Sequence, residues 1–302
     1  MSVRSKDITK YLDPAVISKL STLELKARSV VEGFMVGLHR SPLHGFSVEF
    51  SEHRPYMQGD ELKNIDWKVY AKSEKYVVKQ YEEETNLLCH IFLDASKSMN
   101  FKHSGKVTKL EYAITLAASL AYLMINQQDA VGLAVYSDKI HDYLPPKANK
   151  IYLKNLLIAL NKVKAEGSTS TSACLDSVAQ KIKKRGLAII ISDLFDDPDS
   201  ILNAVKHFHF KQNEVIIFQI LDPAERNFGF DRDAIFVDME TQEQMTTQPH
   251  QIQKAYRDAM SEYLKKIKNG CLNYEIEYNL IDTSEPFDKA LINYFMKRSK
   301  MN

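Results

Sequence analysis

Two apolar runs in this sequence each end on an aspartate with hydroxyl-bearing neighbours. Residues 87–93 lead into Asp94-Ala95-Ser96-Lys97-Ser98-Met99, and residues 187–192 lead into Asp193-Leu194-Phe195-Asp196-Asp197. Between them, Glu166-Gly167-Ser168-Thr169-Ser170-Thr171 opens a helical stretch. Carboxylates and hydroxyls placed after strands either cap the turns and helices that follow or converge on one crevice as oxygen donors. Each motif alone favours capping. The three in order favour a shared crevice, provided that the chain folds so as to bring these ends together.

The elements that would do this are legible from periodicity. Residues 87–93, 130–136, 187–192, 215–221 and 274–281 are short apolar runs of strand length, and 235–238 reads as a short edge strand. Between the runs, apolar residues recur at helical spacing. One such face carries Leu110, Ala113, Ile114, Ala117, Ala121 and Met124; further helices fall near 151–163, 171–184, 200–210 and 252–267, and a last one carries Phe287, Ala290, Leu291, Tyr294 and Phe295. Buried strands alternating with amphipathic helices predict an α/β fold, a doubly wound and mostly parallel sheet covered on both faces. Ahead of it, residues 1–85 form an N-terminal helical and irregular extension expected to pack on the main domain at 86–302. Asp13-Pro14 and a capping box from Ser21 to Glu24 start one broken helix or two short ones, and strand-like pieces follow at 46–50 and 76–81.

Asp-x-Ser-x-Ser, a later Thr in a short Gly/Ser loop and a later Asp after a strand resemble the metal-ion-dependent adhesion site of von Willebrand factor A domains, a Rossmann-like fold. In that family the site threonine precedes an Ala-Leu pair by a fixed interval. Thr169 keeps that interval to Cys174-Leu175, with Cys in place of Ala, so the resemblance selects Thr169 over Thr171. It implies that Ser96, Ser98 and Thr169 touch a metal through their hydroxyls, with Asp94 and Asp193 holding it directly or through water. Oxygen donors with few carboxylates suit Mg²⁺, with Mn²⁺ or Ca²⁺ as substitutes, better than zinc. Neutral hydroxyls leave a net field at the open vertex, which implies a protein partner with an exposed Asp or Glu.

A second resemblance is narrower. Arg54-Pro55-Tyr56, Gly59-Asp60, Ile65-Asp66-Trp67, Lys79, Tyr81 and Glu84 run directly into Leu93-Asp94-Ala95-Ser96. With Asp129-Ala130-Val131-Gly132-Leu133, Leu144-Pro145-Pro146 and Ile191-Ser192-Asp193-Leu194, they look like the bacterial domain-of-unknown-function family fifty-eight, a von Willebrand A relative. Relatives of that kind are often paired with MoxR-type AAA+ ATPases, which implies such an ATPase, or its client, as the partner. The chain departs from the family at Ala71-Lys72 and at Ser170. Arg54, Tyr56, Asp60, Asp66 and Trp67 read first as groups pinning the extension by ion pairs and aromatic packing, and second as a docking patch.

Other function classes lack their signatures. A haloacid-dehalogenase-like phosphatase would place a second carboxylate where Ser96 stands, and neither GxxxxGK[ST], GxGxxG nor GxSxG occurs. His90 and His103 flank the Asp94 loop and are the available bases, yet single histidines near loops are more often packing residues. The expectation is a non-enzymatic binding protein with no catalytic residues, the alternative being a metal-dependent hydrolase or phosphatase that uses the same Asp/Ser cluster. Forty basic and 39 acidic residues in 302 leave a net charge of +1, so nothing global attracts nucleic acid; Lys181–Arg185 and Lys265–Lys268 read as solvated helix ends. Three scattered cysteines, Cys89, Cys174 and Cys271, an N-terminus without a signal-like apolar core and no membrane-length run predict a reduced, cytoplasmic protein.

Overall fold

The computed structural model describes residues 13–38, 53–56, 67–79, 87–168, 170–182, 184–230, 234–237, 244–247 and 249–298. The chain divides into two compact units, residues 42–86 and the remainder. In chain order, α1 (Pro14–Ile17) and α2 (Leu23–Leu38) belong to the larger unit. The amide of Leu25 bonds to Thr22 Oγ1 at 3.2 Å, so Thr22, rather than the expected Ser21, caps α2.

In the smaller unit, β1 (His53–Pro55) pairs antiparallel with β2 (Val77–Lys79), and α3 (Trp67–Ser73) lies between them in sequence. Its described residues pack through aromatic rings. Tyr70 stacks on Tyr76 at 4.5 Å, their hydroxyls meet at 3.2 Å, Tyr56 lies 6.4 Å from Tyr76, and Trp67 meets Tyr70 edge-on at 6.0 Å while staying 55% exposed. Asp60, Asp66, the side chain of Arg54 and the strand expected at 46–50 lie outside the described residues.

The larger unit continues with β3 (Leu88–Asp94), a single 3-10 turn (Lys97–Asn100), α4 (Lys109–Asn126), β4 (Ala130–Tyr136), β5 (Ile140–Lys147), α5 (Lys150–Lys162) and α6 (Thr171–Lys181). Then come β6 (Leu187–Ser192), α7 (Pro198–Phe210), β7 (Glu214–Leu221), α8 (Pro223–Asn227), β8 (Ala234–Val237), β9 (Gln244–Thr247), α9 (Pro249–Leu272), β10 (Glu277–Asp282) and α10 (Asp288–Arg298).

Six strands form one sheet in the order β10-β7-β6-β3-β4-β5, parallel throughout except for β5, which runs antiparallel to β4. Every residue of β4 and β6 is buried, as both-face coverage requires, and this is why these strands read as unbroken apolar runs. On one face α6 and α7 cover Phe92, Ile190 and Ile217; on the other, α4 lies under α2, and its Tyr112 stacks on Phe287 at 4.3 Å. The doubly wound, mostly parallel α/β sheet is therefore present.

Two expectations need correction. The segment at 140–147 is an edge strand that sequence reading passed over, because its outward residues and Pro145-Pro146 break the apolar alternation. The strand near 235–238 stands outside the main sheet: among the described residues β8 pairs with β9 in a separate hairpin.

Numbered within the sheet, the strand order is 3-2-1-4-5-6 reversed. The winding therefore changes direction between β3 and β6. Crevices that take ligands in such sheets open outside the carboxyl ends of the two strands at this switch point. Asp94 ends one of them and Asp193 follows the other.

Candidate functional site

Asp94 is fully buried on the β3 face that also carries Phe92. Its Oδ1 accepts the Ser96 amide at 2.8 Å, and its Oδ2 accepts the Ser192 hydroxyl at 2.6 Å. Ser192 Oγ in turn accepts the Leu194 amide at 2.9 Å, which helps to turn the chain through the left-handed φ of 57° at Leu194. These bonds lash the ends of β3 and β6 together. The loop after Asp94 is pinned as well: Ala95 N donates to Tyr136 O, Lys97 N to Gly167 O, and Glu166 N to Ala95 O. Met99, fully buried in the 3-10 turn, anchors it from below.

The outcome is a pair of hydroxyls, Ser96 Oγ and Ser98 Oγ, 3.0 Å apart beside the carboxylate. A hard octahedral ion with metal–oxygen distances of about 2.1 Å has neighbouring ligand oxygens about 3 Å apart, so this donor pair fits one edge of a Mg²⁺ shell. Among the described residues no three of His, Cys, Asp and Glu converge as a metal cluster, so a cation here would depend on these hydroxyls. Thr169 lies outside the described residues. Thr171 is fully buried at the start of α6, where its hydroxyl and that of Ser192 neighbour the buried phenol of Tyr136. Burial, with Asp94 adding to it, pushes the Tyr136 phenol well above its ordinary range.

Asp193 is equally buried, but its charge is already answered. Lys109 Nζ donates to Asp193 Oδ2 at 2.7 Å and to Glu225 Oε1 at 2.6 Å, with the Phe195 ring 4.8 Å below the ammonium. Burial alone would lower the lysine; the two carboxylates outweigh it and hold the ammonium above its usual range. Glu225 also titrates higher than usual, because its burial exceeds what one shared cation returns. The Phe195 amide caps Asp193 Oδ1 at 3.2 Å, while Gln219 Nε2 holds the Asp193 carbonyl at 2.7 Å. Tyr263 holds the next carbonyl, that of Leu194.

Asp94 has no ion-pair partner among the described residues. Burial, reinforced by the nearby charge of Asp193, pushes its carboxyl up to about 6, against the pull of the Ser192 and Ser96 hydrogen bonds. With all groups ionised, three carboxylates and one ammonium leave two negative charges in this buried cluster.

Two neighbouring clusters shape the rim. The Asp222 carboxylate gathers the amides of His103, Ser104, Gly105 and Ala224 at 2.8–3.0 Å, fixing the loop between the 3-10 turn and α4. Ser137 Oγ lies 2.6 Å from His141 Nε2 and donates to Asp138 Oδ1 at 2.9 Å. Asp138 reaches the same nitrogen, at 3.7 Å, so these three do not form a relay in which an acid orients the far side of the imidazole. Instead they pack against Gly167, which takes a φ of 79° and whose Cβ, if it had one, would lie 2.6 Å from Ser137 Oγ. His90 sits mid-strand stacked on Phe92, with burial lowering it to about 4, and His103 stands edge-on to Phe230. Among the described residues neither imidazole has a hydrogen bond to Asp94.

The structure places Asp94, Ser96, Ser98 and Asp193 at the ends of adjacent strands and surrounds them with Lys109, Ser192, Asp222 and Glu225, none of which the sequence singles out as a site residue. Lys109 carried a usable signal. It shares helical spacing with Ala113, Leu116 and Leu120, all of them buried, so it falls on the covered side of α4.

A family model described as "Protein of unknown function DUF58" matches residues 52–266. An uncharacterized protein of Mycobacterium tuberculosis is 24% identical over 232 residues, covering 76% of this chain and 72% of the relative, and one of Mycobacterium bovis matches with the same figures. Among solved structures, BatB from Bacteroides thetaiotaomicron is similar at 17% identity over 71% of this chain and 98% of its own, with a TM-score of 0.48. An aerotolerance-related membrane protein from Bacteroides fragilis gives 22%, 69%, 98% and 0.45, and the SpRpn10 VWA domain 15%, 69%, 95% and 0.39. The match across more than half of its length makes the chain a member of the DUF58 family.

Proposed function

We propose that this chain is a non-enzymatic protein-interaction module that binds an acidic side chain of its partner through a divalent cation. The observation that carries the reading is the state of Asp94: a buried carboxylate without a counter-ion among the described residues, set beside the Ser96/Ser98 hydroxyl pair at the switch point of the sheet. Ser96 and Ser98 would hold Mg²⁺ directly, with Asp94, Asp193 and Thr169 holding it directly or through water; Mn²⁺ or Ca²⁺ would serve in the same donors. Bound there, the cation would supply a Lewis-acidic vertex for a carboxylate oxygen.

The chain's own residues set the charge balance. Lys109 neutralises one of the three carboxylates, so a divalent ion brings the cluster to zero rather than leaving it negative. An incoming Glu or Asp then meets no residual anion. The hydroxyl ligands contribute no charge of their own, which keeps the ion electrophilic. As partner, a MoxR-type AAA+ ATPase or its client is the first candidate, on the strength of the family resemblance.

Affinity capture of a purified MoxR-type ATPase on the immobilised chain tests this. Capture should occur with Mg²⁺, vanish in EDTA and be lost in Asp94→Ala. Capture that persists unchanged in both would refute the metal-dependent mode.

A further inference from the structure

Away from the strand ends, a groove of about 460 Å³ runs between α9, the end of α8 and β10, the outermost strand of the sheet. Among the described residues four cations line it, Arg226, Arg257, Lys265 and Lys268, and no aspartate or glutamate does. Among the described residues none of the four has an ion pair; Arg257 spends only its Nε, on the Asn227 carbonyl at 2.6 Å. On α9, Arg257, Met260, Leu264 and Lys268 recur at three- and four-residue spacing and so form one stripe, about 17 Å long at the rise of an α-helix. Met260 and Leu264 of α9 and Tyr278 and Leu280 of β10 give the groove its apolar lining. Lys265 and Lys268, which in sequence look like a solvated helix end, therefore border a concave surface.

The chain as a whole carries a net charge of +1, so this concentration of positive charge is local. A positive rim with an apolar lining complements a segment that carries both acidic and apolar side chains. Nucleic acid fits less well. Single strands bind basic grooves through stacking platforms, and the one aromatic that lines this groove among the described residues, Tyr278, is tied by its hydroxyl to Gln219 Oε1 at 2.5 Å. We infer that the groove between α9 and β10 docks an acidic, leucine-bearing segment of a partner protein. This contact needs no metal, and so it stands apart from the function proposed for the Asp94 cluster.

The test is fluorescence anisotropy with a short fluorescein-labelled peptide of repeating Glu-Glu-Leu, its Gln-Gln-Leu counterpart, and an oligothymidylate of equal charge. The acidic peptide should bind the wild-type chain, equally well in Mg²⁺ and in EDTA. Replacing Glu by Gln in the peptide, or introducing Lys265→Glu with Lys268→Glu, should weaken binding at least about tenfold, while Lys265→Arg with Lys268→Arg retains it. These lysines are exposed on a helix, and an unchanged circular dichroism melt confirms that the variants fold. Any one of four results overturns the inference: no binding of the acidic peptide, equal binding by the Glu-reversed variant, tighter binding of the oligothymidylate, or loss of binding in EDTA. The last would move the contact to the Asp94 cluster.

Discussion

Lys109 Nζ lies 2.7 Å from Asp193 Oδ2 with both side chains fully buried, so a cation supplied by α4 is built into the site that the two strand ends create. The pair divides the labour of the two aspartates. Asp193 is held and neutralised by the protein; Asp94 is held by hydrogen bonds alone.

Removing the lysine should be costly. In Lys109→Met, Asp193 and Glu225 remain buried without their cation, and the loss expected is about 3–5 kcal/mol. Urea unfolding measures it. Adding Asp193→Asn should recover part of that loss, because one of the stranded charges goes with it; no recovery would mean that the lysine acts by packing rather than by charge.

Stability should depend on pH through Asp94. Its folded-state carboxyl titrates at about 6, above its ordinary 3.8, so the folded chain holds this proton more tightly than the unfolded chain does. Stability without metal should therefore fall as pH rises from about 4 towards 6 and level off above. Asp94→Asn, neutral at every pH, should be more stable than wild type at pH 7.5 in EDTA by on the order of 1–3 kcal/mol, with the gap closing as pH drops below 6. Melting temperatures of both proteins across that range decide it.

Ser192→Ala removes the hydroxyl that both steadies Asp94 and receives the Leu194 amide. A stability loss of about 1–3 kcal/mol is expected from the unsatisfied buried groups. The Asp94 carboxyl should also shift further upward, visible as displacement of its titration in carbon-detected NMR. Loss of stability without that displacement would place the effect in the β6 turn alone.

Gly167→Ala addresses the loop that carries Thr169. A left-handed φ and a Cβ 2.6 Å from Ser137 Oγ make the substitution strained twice over. It should cost more than about 1 kcal/mol and weaken Mg²⁺ binding, whereas Ser168→Ala, at an exposed position, should change stability little.

How much of this was legible beforehand followed the physics of each element. β3, β4 and β6 announced themselves because strands buried on both faces leave unbroken apolar runs, and Asp94 and Asp193 stood out because they end such runs. β5 did not, since an edge strand with exposed residues and two prolines has no run to show. Lys109 was hidden for a different reason. A lysine reads as solvated unless its helical face is traced, and the carboxylates that make its burial tolerable lie 84 and 116 residues further along the chain. In sequence Ser192 is simply the last residue of a strand, and only the register of β6 against β3 brings it to Asp94.

Calorimetric titration of Mg²⁺ into the EDTA-stripped, dialysed chain decides whether a divalent cation sits at Asp94, Ser96 and Ser98. A saturable heat for one site is expected in the wild type, with at least about tenfold weaker binding in Ser96→Ala, none in Asp94→Ala, and weakening of the wild-type site as pH falls through 6. Equal heats in wild type and Asp94→Ala, or no heat in either, would contradict it.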